Sequence, residues 1–425
     1  MVEAGSILLG VVAILSALFR AFLKPKFDQA GFFRVGNNRN NEHCSTIGLE
    51  ACEDIWVDQP SGLAYLACSS RTQRSFWETG LGILDAEKLP PHSLDYVAIL
   101  DLKTQEHRKV ELVNLPPGIV ENGIYVHGID LFITSDDPAD SATTNQIDLS
   151  DGPAGQLSGS RRATIYLINH QPPSDRKSAP LIGAQSVIEV FDTILGDSKA
   201  TYRRTIKHEL ILTPNNLVGI SETGFYVTND HSSKTAWTRR WEPFLTDSEI
   251  DSIIFCSFKD EINCIPAVSG KHPHPNGIAK GPGDSLYMVT TYDPYLRVFE
   301  MQADHTLALT DEVKLPTVVD NIYVTPTGSV FLAGIPSLYK FKKRLMAMRE
   351  GNFDMPSPSD VWKISNETGS DAFYGGRLKI EQVLSDDGRK ISGNTGVAVW
   401  GSKLYLTGLA SPYVSVCKID VDLAQ

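Results

Sequence analysis

The sequence has no G-x-S-x-G elbow, no H-E-x-x-H pair and no phosphate-binding loop, so serine-esterase, zinc-peptidase and NTPase chemistry find no motif in it. It has no CxxC spacing either, which removes the usual zinc frameworks. Lysine and arginine never gather into a block, and the net charge is -12. Nucleic acid is therefore excluded as a partner, because phosphates demand a basic footprint. Helical periodicity is scarce: beyond the first 26 residues it shows only in a short stretch near Ala236 to Leu245. What remains is ordinary globular material, 425 residues of which 42% are hydrophobic and 21% charged. Its acidity is compatible with divalent cations.

The apolar exception is Ser6 to Leu23, SILLGVVAILSALFRAFL, broken only by Arg20 and followed by Lys24 and Lys26. Residues 1–26 read as a membrane-targeting segment, either a signal peptide or an uncleaved anchor, since the run is near the lower length for a span and lacks a clear A-x-A site. The flanking charges alone favour a cytoplasmic body. Six cysteines and one glycosylation sequon at Asn366 favour the secretory pathway and an extracellular or lumenal body, free or membrane-anchored. Cys44 and Cys417 stand where a bridge would tie the two ends together, and Cys256 and Cys264 flank Lys259-Asp260-Glu261 as a cross-strand pair in a hairpin would. The partners of Cys52 and Cys68 stay open.

The body, residues 27–425, is read as one all-β domain. Short β-branched and aromatic runs bounded by Gly, Pro, Asn and Asp recur, and one pattern returns at a fixed offset: a polar residue, an apolar run, a turn, then an aromatic residue 11 positions on. Asp54 to Tyr65, Asn215 to Tyr226, Asn276 to Tyr287, Asp320 to Phe331 and Asn394 to Tyr405 all obey it. A sixth start at His127-Gly128-Ile129 is interrupted by a Ser, Thr, Asp and Gly-rich insertion at about 131–162, expected as a flexible surface loop, before strand material resumes at Thr164 to Asn169. Six units predict a six-bladed β-propeller behind an N-terminal hydrophobic helix. In such a ring the polar residue opening each innermost strand converges on one axis.

Glu53, Asn215, Asn276, Asp320 and Asn321 would bring two carboxylates and three amides to that axis, a mixture suited to calcium and to a Lewis-acid role toward an ester carbonyl. His127 opens the sixth repeat and His170 follows the insertion in YLINH, so both are candidate bases for activating water; His231 in TNDH is a third, less axial.

The stretches LEACEDIWVDQPSGLAYLACSS, YVHGIDLFI, YLINH, TPNNLVGISETGFYVTNDH, HPNGIAKG, VVDNIYVTPTG and YVSVCKID, in that order from Cys44 to Cys417, resemble the paraoxonase/arylesterase family. The resemblance implies a six-bladed propeller with two channel calcium ions that hydrolyses lactones and aryl esters. It assigns Glu53, Asn215, Asn276, Asp320 and Asn321 to the catalytic calcium, His127 and His170 to a histidine dyad, Cys44 and Cys417 to a terminal disulfide, and an uncleaved N-terminus to membrane association. It places a structural calcium at Asp54, Ile129 and position 216, where this chain has Asn in place of the family's aspartate; that substitution weakens the second ion. Two rival readings are a gluconolactonase-type sugar-lactone hydrolase and a non-catalytic propeller that uses calcium for rigidity. A strictosidine-synthase-like condensing enzyme ranks behind them, since fewer axial ligands would be expected of it.

Overall fold

In the computed structural model, residues 2–93, 95–134, 161–235, 239, 253–270, 272–366 and 378–420 are described, with the side chains of the first nine residues left aside. Six sheets of four or five strands follow one another along the chain, antiparallel except for one parallel pair at the edge of the second, where Glu111–Val113 joins Lys199–Ile206. Their innermost strands, Cys52–Asp58, Val126–Thr134, Pro214–Ser221, Pro275–Lys280, Val318–Val324 and Gly396–Trp400, touch in sequence and close a ring, so the chain is a six-bladed β-propeller. We number the blades 1 to 6 in that order.

Both halves of the repeat have a physical origin. The glycines beside the polar openers let inner strands approach: a Cβ on Gly277 would lie 2.7 Å from the Asn321 Cα, and one on Gly128 would lie 2.9 Å from the Asn215 carbonyl oxygen. The aromatic residue on the second strand packs between its own blade and the next. Tyr65, Tyr226, Phe331 and Tyr405 are fully buried there, and Tyr166 fills the same place in blade 2. Each such side chain contributes about 1.5–3 kcal/mol by burial. The hydroxyls fasten neighbouring blades: Tyr166 donates to Ser221 O at 2.6 Å, Tyr226 to His305 O at 3.1 Å and Tyr405 to Leu102 O at 2.9 Å, while Tyr65 accepts from Gly196 N at 2.7 Å.

The ring is closed by its own N-terminal strand. Cys44–Ile47 pairs with Val414–Lys418 as the outer strand of blade 6, Cys44 stands opposite Cys417, and the two form a disulfide. Cys256 and Cys264 are also bonded, cross-strand as their spacing suggested, and Cys52 bonds Cys68 within blade 1.

The structure corrects two expectations. The inner strand of blade 2 continues to Thr134 and pairs with a strand starting at Arg162, so residues 131–134 and 162 belong to the sheet and not to an insertion. The remainder, 135–160, lies outside the described residues. Second, a helix at Leu338–Arg349 inserts between strands of blade 5, where no helical period was expected. Ser337 caps it, accepting from Lys340 N, and Leu338, Phe341, Leu345 and Met348 form its buried stripe. Of the stretch Ala236 to Leu245, only Arg239 is described.

Before the ring, helix Val2–Leu18 runs through a single π-helical segment, Phe19–Leu23, into helix Lys24–Gln29. Val12, Ile14, Leu15 and Phe22 of this run are exposed. Among the described residues no helix is long and apolar enough to cross a membrane. The run ends against the Leu338 helix, where Ala30 O accepts from Leu338 N at 3.0 Å.

Candidate active site on the propeller axis

Glu53, Asn215, Asn276, Asp320 and Asn321 open the inner strands of blades 1, 3, 4 and 5, and all five side chains are buried. The Asn321 amide donates to Glu53 Oε1 at 2.6 Å, and the Asn276 side chain is hydrogen-bonded to Asp320. Three oxygens are left over: Glu53 Oε2, Asn215 Oδ1 and Asn276 Oδ1 are buried without any donor. An orphaned buried acceptor costs about 1–3 kcal/mol and is uncommon even singly. Burial, followed by the nearby Asp54 and Asp320 charges, raises Glu53 well above the usual carboxylate range, and burial pushes Asp320 up to about 8. Two carboxylates that resist ionisation, set among three undonated oxygens, are residues that could hold a cation. Among the described residues no three His, Cys, Asp or Glu side chains make a metal cluster, as expected of a set made largely of amides. The donor set fits calcium.

Asp54, Ile129 and Asn216 also converge, and the side-chain oxygens of Asp54 and Asn216 each accept a hydrogen bond. Asp54 Oδ1 accepts from Ile55 N at 2.9 Å and Oδ2 from Ile129 N at 3.1 Å. Asn216 Oδ1 accepts from Leu217 N at 2.6 Å, and its amide donates to Asn321 Oδ1 at 2.6 Å.

His127 lies beside the first set, with Nε2 3.9 Å from Glu53 Oε1 and Nδ1 3.6 Å from Glu78 Oε1. Its ring meets that of His170 edge to face at 5.1 Å, while His170 Nδ1 engages Ser186 Oγ at 2.9 Å. Burial holds both imidazoles neutral, His127 well below its ordinary range and His170 at about 3.

A cavity open to solvent lies on this floor. One wall is polar: Glu78, His127, Asp230, His231 and His274. The other is apolar: Leu81, Tyr292, Ile335, Leu409 and, from the blade-5 helix, Leu338 and Phe341. Sequence reasoning missed Glu78, Asp230 and His274. Asp230 and Glu78 lie outside the repeat's opening residue, and His274 precedes Asn276 by two, just before the inner strand of blade 4. His231, the less axial candidate, belongs to the cavity after all, with Nδ1 2.8 Å from Asp230 Oδ1. Burial opposes ionisation of Asp230, but the adjacent His231 and then Arg239 hold its carboxyl well below the usual range. Glu78 pairs with the buried Arg74 at 3.3 Å.

A family model described as Arylesterase matches residues 181–416, more than half of the chain. The chain belongs to the arylesterase family. Its similarity to curated members extends further: it is 24% identical to serum paraoxonase/arylesterase 1 of Rattus norvegicus over 94% of this chain and 95% of that protein. It is 23% identical to serum paraoxonase/arylesterase 2 of Homo sapiens over 86% and 85%, and 24% identical to serum paraoxonase/lactonase 3 of Oryctolagus cuniculus over 86% and 86%. The family match covers blades 3 to 5 and most of blade 6, and so includes four of the five oxygen-bearing candidates on the axis.

Proposed function

We propose that this arylesterase-family protein hydrolyses carboxylic esters and lactones, with a calcium ion held by Glu53, Asn215, Asn276, Asp320 and Asn321. The observation that carries the reading is the trio of undonated, buried oxygens from blades 1, 3 and 4, two of which, on Asn215 and Asn276, belong to residues that line the cavity. The arylesterase and lactonase names of the relatives supply the reaction class. When bound, calcium supplies Lewis acidity toward a carbonyl oxygen.

The chain's own residues supply the rest. A proton on His127 Nδ1 faces the Glu78 carboxylate, which leaves the lone pair on Nε2, on the Glu53 side, to take a proton from water. Because burial keeps the ring neutral, that lone pair is available throughout the physiological range. His170, anchored through Nδ1 to Ser186 and through its carbonyl to the Trp77 indole at 2.7 Å, acts as a packing stop that fixes the His127 ring. The apolar wall receives the acyl or alcohol portion of the substrate. The three disulfides, the exposed apolar helix at the N-terminus and an exposed Asn366 agree with an extracellular or lumenal protein that is membrane-associated through residues 1–26.

Hydrolysis of phenyl acetate and of a panel of lactones, measured before and after EGTA and after calcium is returned, tests the reading. Activity that vanishes and returns with calcium supports it; a folded, calcium-loaded protein inert toward every substrate makes the molecule a binding propeller. In the same assay His127→Gln should lower turnover by about 10²-fold or more while calcium stays bound. Unchanged turnover would remove His127 from the mechanism.

A further inference from the structure

His274 carries three unusual features at once. It is 2% exposed, and its ring nitrogens make no well-aligned hydrogen bond, only a poorly aligned one to the Asp230 backbone. Its backbone sits at φ 54°, the left-handed region that a residue with a Cβ avoids at a cost of about 1–2 kcal/mol. The ring is also clamped, edge to face against His231 at 4.8 Å and against Tyr292 at 4.2 Å. The clamp is itself fixed. His231 Nδ1 is held between Asp230 Oδ1 at 2.8 Å and Arg239 Nη2 at 3.1 Å, and Arg239 is tied to Lys234 O at 2.8 Å and to Thr79 O. Strain at φ and incompletely satisfied ring nitrogens both disfavour the fold. Such a combination persists where the surroundings force it and a ligand uses it.

His274 also lines the cavity, two residues before Asn276 and beside the apolar Tyr292. We propose that His274 reads a hydroxyl group on the substrate, close to the reacting carboxyl, and so makes hydroxylated esters and lactones the preferred class. Any neutral tautomer of an imidazole keeps one N–H donor and one acceptor lone pair, and a hydroxyl is the small group that answers either. Substrates lacking it leave buried nitrogens unpaired, which is the condition under which a pocket discriminates most strongly. The apolar wall, with Leu338 and Phe341, takes the remaining hydrocarbon.

This inference rests on the ester and lactone hydrolase reading, and two kinds of measurement separate their failures. Turnover is compared for γ-butyrolactone and α-hydroxy-γ-butyrolactone by the full, calcium-loaded chain. Binding of the corresponding non-hydrolysed lactams, 2-pyrrolidinone and 3-hydroxy-2-pyrrolidinone, is compared by calorimetry. The expected result is a preference for the hydroxylated member of about 10- to 100-fold in both. His274→Phe, which keeps a ring between His231 and Tyr292, should bring the ratio near one; His274→Asn, which tolerates positive φ and restores a donor and an acceptor, should recover part of it. A wild type that treats the two members of each pair alike, or a ratio that survives His274→Phe, overturns the proposal. Should neither lactone be hydrolysed, the hydrolase reading falls and the lactam ratio alone decides the role of His274.

Discussion

Glu53 shows most sharply what a single residue can be asked to do in this channel. One carboxylate oxygen is satisfied by Asn321 and the other by nothing, and the group is wholly buried. The amides of Asn215 and Asn276 share the predicament. Replacing either by Ala removes an oxygen donor, and the expected result is a loss of calcium affinity of about tenfold or more, read by isothermal titration, with the disulfides and circular dichroism unchanged. His170 makes a different prediction. Burial depresses its folded pKa to about 3 against an ordinary 6.5. The unfolded chain then binds the proton more readily, so the stability this residue contributes is present above pH 6.5 and is lost as pH falls from 6.5 toward 3. Urea midpoints measured at pH 7 and pH 4.5 should therefore drop less in His170→Gln than in the wild type; an identical drop would show that His170 is not buried neutral.

Between elements, the aromatic clasps and the terminal strand hold the ring. Tyr226→Phe loses only the hydroxyl bond to His305 O and should cost about 1 kcal/mol, whereas Tyr226→Ala also empties a fully buried site between blades 3 and 4 and should cost about 3–5 kcal/mol. Chemical denaturation distinguishes the two. The Cys44–Cys417 bond closes a span of 373 residues, so the double change of both to Ala should destabilise the ring by about 2–5 kcal/mol. The element missed in the sequence, Leu338–Arg349, was hidden by its own composition. Five basic residues are spread around it, and one of them, Arg344, is buried with Nε donating to Ala410 O at 2.9 Å. A basic residue that faces inward defeats a pattern that sorts residues by polarity. Cys52 and Cys68 escaped for a related reason. The pairing of Trp56 with Tyr65 would set Cys52 opposite position 69, and the bulge between Cys52 and Asp54 shifts the register by one.

For the whole molecule, the decisive property is that a site of five side chains from four blades lies on the axis of a closed ring. Binding there joins blades 1, 3, 4 and 5 at their inner ends, so calcium should stabilise the fold by mass action, about 2.7 kcal/mol when free calcium is a hundred times its dissociation constant. Thermal unfolding with EGTA and with added calcium checks it; a melting temperature indifferent to calcium would remove the axial cation.

The sequence by itself determined the number of blades and the candidate floor of the cavity, because both are written locally. Each blade starts with a polar residue and a tight strand pair, and rotational repetition carries every such start to the axis. Only the tertiary structure decided which of those oxygens remain without donors, that the oxygens of Asp54 and Asn216 accept hydrogen bonds, and that His274, Leu338 and Phe341 line one cavity. The partners of those oxygens, Ile129 on Asp54, Asn216 on Asn321 and Asn321 on Glu53, lie 75, 105 and 268 residues apart in the chain and are brought together by ring closure, which no local period encodes.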